Sequence, residues 1–456
     1  MQLATRFSSI FKVFIVFVLT LLILIPLSMI RGTISERQAY REEAVGTIAR
    51  SEAGAQGVAG PVLVVPYTET IEVEETNQAG KVVRKVKRDG ESGQWIFFPK
   101  SLALSGRMAP YTRRLGLHEV RMFTLDGTMD ARFDALIPRD ANPDLPRKIG
   151  RPWLAYGIAD VRGLRGVPKL RIDGKEVQLE RGLGAGDRPG LHVRLAAPAA
   201  GTRVAFSSKL QAELTGSEAF AFAPLGDRNA IKLDSAWPHP QFNGAFLPRS
   251  RKIDAAGFQA DWEVSSLASN AQAQYLRGNR IDSDGVAALG SGASGSLDLI
   301  GVSLVEPVNV YSQADRASKY GLLFVALTFV GFFMFELIKQ LRIHPIQYGL
   351  VGLALAIFFL LLVSLSEHID FAWAYLSASA ACIGLIGFYL CTVLRSVGRG
   401  IGFAAMLAAL YAVLYGLLVS EDNALVMGAG LLFVILAAIM VITRRVDWYR
   451  ATSPAA

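Results

Sequence analysis

Six hydrophobic segments divide this chain, one near its start and five packed together at its end. Residues 31–318, mostly polar, separate the first from the rest. A bilayer core is spanned by about 20 apolar residues of helix. The segments expected to span are residues 12–30 (Lys12 to Ile30, with Pro26 near the outer end), 319–338, 346–365, 371–394, 401–419 and 424–443. The pattern predicts a polytopic α-helical membrane protein, six transmembrane helices in a 1 + 5 arrangement. It also confines the large insert to one side of the membrane.

Composition agrees with that division. Only 19% of the 456 residues are charged, against about 25% in soluble domains. The shortfall lies in residues 10–30 and beyond 320, so the middle has ordinary soluble composition. The net charge of +8 suggests nucleic acid at first sight. Residues 31–318, however, hold 37 Lys/Arg against 33 Asp/Glu. Most of the remaining excess sits in short loops beside the apolar segments, where it sets topology. No nucleic-acid partner is expected; the lipid bilayer is.

The first segment reads as an uncleaved signal anchor. Arg6 and Lys12 precede a long apolar run that ends in Ser28-Met29-Ile30-Arg31, without a small-x-small cleavage site. Sidedness follows from Lys and Arg. Arg6 and Lys12, then Lys339, Arg342 and His344, then Arg395 and Arg399, then Arg444, Arg445 and Arg450 mark the cytoplasmic side. The opposite short loops hold Glu367, His368 and Asp370, then Glu421 and Asp422, with no Lys or Arg. Both termini are therefore expected in the cytoplasm and residues 31–318 outside, in the periplasm of a Gram-negative cell. The domains expected are 1–30 (signal anchor), 31–318 (exported), 319–443 (five-helix bundle) and 444–456 (short cytoplasmic tail). Tyr320, Tyr348, Trp373, Trp448 and Tyr449 fall at expected membrane interfaces.

The exported region reads as β-rich and sandwich-like, in one or two subdomains. Val62 to Val65 and Thr70 to Glu75 form a strand, Asn77 to Gly80 a turn, and Lys81 to Arg88 a return strand. Ile172-Asp173-Gly174-Lys175 reads as a tight hairpin, because Asp-Gly suits a type I′ turn. Further strands are expected near 95–98, 120–125, 153–158, 191–195, 203–214 and 297–311. Helices are expected at 34–51, with Ile34, Tyr40, Val45 and Ile48 on one face, and near 266–276. The basic run Lys81 to Arg88 suits an exposed strand guarded against edge pairing, and Leu289 to Leu297 a Gly/Ser-rich loop.

Signs of chemistry are sparse. His118, His192, His239, His344 and His368 include no pair at helical metal-site spacing and none beside a cysteine. The only cysteines, Cys382 and Cys391, share one apolar segment about 13 Å apart along a helix axis, beyond disulfide reach. Gly182-Leu183-Gly184-Ala185-Gly186 lacks the context and spacing of a dinucleotide loop and reads as a turn. No catalytic, cofactor-binding or metal-ligating residue is assigned, no cofactor is expected, and the chain reads as a non-enzyme. Glu336 is the one ionisable residue well inside a span, within reach of Lys339 or Gln340. Small residues at Ser377 to Ala381, Gly384 and Gly387 suit close helix packing.

One stretch is distinctive. Trp237 to Pro248 (WPHPQFNGAFLP), followed by Gly257 to Trp262, resembles the inner membrane protein CreD family. So do Asp315 to Glu336, His344 to Tyr348, the run to Ser366-Glu367-His368, Glu36-Arg37 with Tyr40-Arg41, and Asp447-Trp448-Tyr449. Residues from about 100 to 230 carry little of the likeness. The resemblance implies an inner-membrane protein of cell envelope integrity and stress tolerance, tied to the Cre two-component response and to colicin and β-lactam tolerance. It implies no reaction, cofactor or catalytic residue. The residues leave two alternatives: a sensor or regulatory membrane protein of a two-component response, and a transporter or lipid-handling protein. Within the first reading, residues 31–318 would contact an envelope protein or cell-wall component. Each proline of the WPHP segment disfavours helix before it, so Trp237 and His239 belong either to a structural corner or to a docking loop. Oligomeric state is not legible.

Overall fold

A computed structural model describes residues 2–76, 82–116, 118–140, 142–290, 297–305, 310–339, 343–394, 396–419 and 424–443. The expected turn at Asn77 to Gly80, most of the 289–297 loop, and Arg342, Arg395, Glu421, Asp422, Trp448, Tyr449 and the tail arginines lie outside them. The chain divides into two compact units, Met1–Tyr40 with Val308–Ala456, and Arg41–Pro307.

The chain opens with α1 (Gln2–Ser51), which runs unbroken through Pro26 and whose residues up to Tyr40 belong to the helical unit. A span at 12–30 and a separate helix at 34–51 were expected, and the two are one element. In an apolar surrounding every backbone group needs its intrahelical partner, so leaving the helix there costs more than the proline kink. Ile34 and Ile48 are buried, as expected, but Tyr40 is exposed and donates its hydroxyl to Glu36. After the short α2 (Ala271–Leu276) and α3 (Ser283–Leu289) of the other unit come α4 (Val310–Lys339), α5 (Pro345–Ser366), α6 (Phe371–Val393), α7 (Val397–Val419) and α8 (Ala424–Thr443). Among the described residues five helices are long and apolar enough to cross a membrane: Phe17–Ser51, Gln313–Phe333, Pro345–Ser366, Phe371–Val393 and Val397–Val419. The sixth apolar segment is also helical, with a shorter fully described run at Val426–Ala437.

His344-Pro345-Ile346-Gln347 sets where α5 begins. His344 Nδ1 accepts from Ile346 N–H, Gln347 Oε1 accepts from His344 N–H at 3.0 Å, and Pro345 stands in the first turn. The bundle core is aromatic. Tyr411 lies edge-on to Phe324 and Phe358, each at 4.6 Å, and its carbonyl accepts from Tyr375 Oη at 2.7 Å. Of the small residues on α6, Ala378, Ser379 and Gly387 are buried, whereas Ser377 and Gly384 face outward. Trp373 is exposed, as an interface anchor requires, but Tyr348 is packed inside the bundle.

The other unit is built on seventeen described strands: β1 (Gln56–Thr76), β2 (Val82–Phe97), β3 (Ser101–Leu115), β4 (His118–Leu136), β5 (Lys148–Ile149), β6 (Trp153–Ile158), β7 (Leu164–Ile172), β8 (Lys175–Val177), β9 (Glu180–Arg181), β10 (Gly190–Arg194), β11 (Arg203–Ser217), β12 (Ala219–Ala223), β13 (Arg228–Ser235), β14 (Pro240–Gly244), β15 (Ser250–Asp254), β16 (Gly257–Ser265) and β17 (Ile300–Leu304). One sheet runs β14-β17-β12-β1-β6-β10-β9, with β2 and β5 also on β1. The second runs β15-β16-β13-β3-β4-β11-β7-β8. The expected Asp173-Gly174 hairpin joins β7 to β8, with φ of 48° and 80°. In β1 the register shifts between Ala59 and Val62, around Gly60-Pro61. Proline cannot donate to the ladder, and a Cβ on Gly60 would stand 2.8 Å from the Ala155 carbonyl.

A single core fills the space between the sheets, so this is one sandwich. Leu63, Tyr156, Phe220 and Val302 of the first sheet meet Phe123, Leu210, Ile231 and Trp262 of the second. Truncating Trp262, 1% exposed, to alanine would cost about 3–5 kcal/mol. The far face of the first sheet, rich in alanine (Ala59, Ala155, Ala221, Ala223), is covered by Tyr275, Val286 and Leu289 of α2 and α3. These small residues let short helices approach a sheet closely, giving a third layer.

Candidate functional site

Three places merit description, two singled out by sequence and one not. The first is the WPHP segment. It carries the chain from β13 in one sheet to β14 in the other. Trp237 Nε1 donates to the carbonyls of His239 at 2.9 Å and Val305 at 3.2 Å. Arg121, itself buried, stacks on the Trp237 ring at 4.9 Å. His239 is exposed and edge-on to Trp237. Phe242 lies edge-on to Phe258 and Trp262, each at 5.6 Å. Trp237 and Phe242 are thus spent on packing and on satisfying turn carbonyls. The geometry is that of a structural corner, and it leaves only the His239 ring facing solvent.

The second is Glu336 on α4, buried at 7% exposure. Its carboxylate accepts from Tyr348 Oη at 2.8 Å and from Ile343 N–H at 3.4 Å. The side chain of Lys339, and Gln340, lie outside the described residues. Glu336 therefore ties the end of α4 to the start of α5. At the other end of the same unit, Arg31 donates to Ser318 Oγ and O, and Arg37 pairs with Glu367 at 3.4 Å.

The third is a cavity of about 340 Å³ on the helix-covered side of the first sheet. The Gly182 to Gly186 segment is the turn expected, between β9 and β10, with positive φ at Gly182, Gly184 and Gly186. It goes on to supply one wall through Leu183, Arg188 and Pro189. Tyr275, Arg280, Ile281 and Asp282, from α2 and the connection to α3, supply the other, over a floor of Ala59 and Gly157. The guanidinium of Arg280 lies 3.6 Å from the centre of the Tyr275 ring, and its Nη1 donates to the Tyr275 and Asn279 carbonyls. Arg188 Nη1 donates to the Gly278 carbonyl at 2.8 Å. Burial lowers the Arg280 pKa from the ordinary arginine value and the nearby Arg188 lowers it further, while Tyr275 opposes. Sequence reasoning missed Arg280, which sits in a short connection with no motif. The glycine-rich turn was the available signal for Arg188. No group of three or more His, Cys, Asp or Glu able to hold a metal occurs among the described residues.

A family model described as inner membrane protein CreD matches residues 8–449. The chain belongs to the CreD family. Inner membrane protein CreD of Escherichia coli (strain K12) is 34% identical over 436 residues, 95% of this chain and 92% of the relative. Membership and the apolar helices together make this an inner-membrane, multi-pass protein with a large β-rich unit. The likeness to solved structures is slight. An M1 zinc metallopeptidase mutant from Deinococcus radiodurans aligns at 8% identity over 45% of this chain and 42% of that chain, with a TM-score of 0.21. A substrate-bound form of that mutant aligns at 9% identity over 36% and 38%, with a TM-score of 0.19. Neither carries an argument about this chain.

The stretches of this sequence that carry the resemblance now have places. WPHP is the inter-sheet corner, HPIQ is the α5 cap, and the Asp315 to Glu336 run is most of α4. Arg37 of the Glu36-Arg37 pair meets Glu367 of the Ser366-Glu367-His368 stretch.

Proposed function

We propose that this chain is a six-span inner-membrane protein that maintains cell envelope integrity and tolerance of envelope stress, colicins and β-lactams included, without catalysing a reaction. Both termini lie in the cytoplasm and residues 31–318 in the periplasm, where the sandwich contacts an envelope protein or cell-wall component. The observation that carries the reading is the family match along residues 8–449. The sidedness draws support from the charge of the short loops and from pairing inside the helical unit. Arg31 and Arg37 of α1 meet Ser318 and Glu367, both assigned outside, while Glu336, Ile343 and Tyr348 gather at the end assigned inside. A conduit draws less support, because the buried carboxylate of Glu336, at the end of α4, is engaged in joining α4 to α5. The test is removal of the gene from a Gram-negative host, with survival scored against colicins and β-lactams. Altered tolerance that the intact gene restores is expected. Unchanged tolerance would overturn the reading.

A further inference from the structure

The cavity beside the glycine-rich turn brings two arginines and a single carboxylate into one lining. Several other arginines of the sandwich meet carboxylates: Arg162 with Asp160, Arg203 with Asp134, Arg107 with Asp234, Arg249 with Glu263. Arg280 and Arg188 line one cavity, and among the described residues neither has a carboxylate within 4.0 Å. The acid in the same wall, Asp282, is committed to α3, its Oδ1 accepting from Gly285 N–H at 2.7 Å. Backbone carbonyls and the Tyr275 ring hold both guanidinium groups in place. Such contacts fix the position of each fork and leave its remaining N–H donors free to meet an oxyanion. Two like charges beside a buried ring repel each other, and an anion between them relieves that repulsion. The rest of the lining is apolar, and a largely apolar cavity of a few hundred cubic ångströms with a few convergent polar groups is the usual form of a small-molecule site.

We propose that this cavity binds a small soluble organic anion, its carboxylate or phosphate head held by Arg280 and Arg188 and its apolar body seated on Leu183, Pro189 and Ile281. Neither the family match nor the proposed envelope role names such a site. Binding is read in purified protein, so its failure leaves the envelope role standing, and the reverse.

The test uses the full chain in lipid nanodiscs and isothermal titration with sodium hexanoate, hexyl phosphate and, as control, hexylammonium. At least one anion should bind, more tightly than hexylammonium and less tightly as salt rises. Comparing the two anions identifies the head group preferred. Arg280→Gln and Arg188→Gln should each weaken binding by about tenfold or more, the loss of a charge-assisted hydrogen bond. Arg280→Lys should retain part of it. Arg188 is exposed, so Arg188→Gln decides the matter even if Arg280→Gln disturbs the fold; circular dichroism monitors both. Absence of binding by both anions at about 10 mM, hexylammonium binding as well as they do, or unchanged affinity in Arg188→Gln would overturn the proposal.

Discussion

Asp160 offers the sharpest test of how the sandwich is held together. It is 7% exposed and caps the short 3-10 turn at Val161–Gly163. Oδ1 accepts from Arg162 N–H at 3.0 Å and Arg162 Nε at 2.9 Å. Oδ2 accepts from Gly54 N–H at 3.1 Å and Arg162 Nη2 at 2.6 Å. Its backbone is bound in turn by the fully buried Gln56, whose Nε2 also donates to the Thr215 carbonyl. Asp160→Ala would leave the buried Gly54 N–H without an acceptor, about 1–3 kcal/mol, and remove a cap, about 1 kcal/mol. The Arg162 ion pair adds less, because that side chain is 52% exposed and screened by solvent. The expected loss is about 3 kcal/mol, or a fall in Tm of about 6–12 °C for a unit this size. Thermal unfolding of the full chain in detergent, followed by tryptophan fluorescence, measures it. A fall below about 2 °C would refute the reasoning. The pH dependence has a definite sign. Burial raises the Asp160 pKa, but hydrogen bonds from Arg162 and Gly54 outweigh it and hold the carboxyl below its ordinary value. Its contribution is therefore complete above the ordinary carboxylate range and lost as pH falls through the lowered value. The stability gap between wild type and Asp160→Asn should be full above about pH 5 and close below about pH 4. A gap that persists in acid would contradict this.

Three further outcomes are expected. Gly400→Ala should lower protein abundance and detergent stability by about 1–3 kcal/mol, since a Cβ there would stand 2.8 Å from the Cys391 Cα; wild-type stability would show that α6 and α7 do not approach so closely. Replacing Trp237 and His239 together should lower abundance, because the corner loses both carbonyl contacts of Trp237; normal abundance with lost envelope tolerance would instead make this a docking loop. Glu336→Ala and Tyr348→Phe should each destabilise the helical unit, by about 1–3 kcal/mol, with a double-mutant coupling near the single effects, while Glu336→Gln, which still accepts a hydrogen bond, should cost less; additive effects would sever the pair.

Where the sequence could be read, local physics was sufficient. Apolar runs marked the long helices, strand-like stretches marked β6, β10 and β11, and Asp173-Gly174 marked the β7–β8 hairpin. Where it misled, distant contacts overrode local signs. A span at 12–30 and a separate helix at 34–51 were expected, yet the requirement for backbone pairing carries α1 straight through both. Tyr348 looked like an interface anchor, but Glu336, twelve residues earlier, takes its hydroxyl into the bundle. Strand order was not legible, because β1 pairs in parallel with β12 and β3 with β13, neighbours more than a hundred residues apart. The cavity was least legible. Arg188 and Arg280 converge only after the glycine-rich turn and the α2–α3 connection fold onto the same sheet face.

The central claim is that the sandwich faces the periplasm and the short loops rich in Lys and Arg face the cytoplasm. It is tested by labelling single cysteines in spheroplasts with a membrane-impermeant maleimide, after alanine replaces Cys382 and Cys391. Leu267, 97% exposed in the β unit, and Val397, 65% exposed at the start of α7, are the two positions. The account predicts that Leu267→Cys is labelled in intact spheroplasts and Val397→Cys only after lysis. Protection of Leu267→Cys before lysis, or labelling of Val397→Cys, would contradict it.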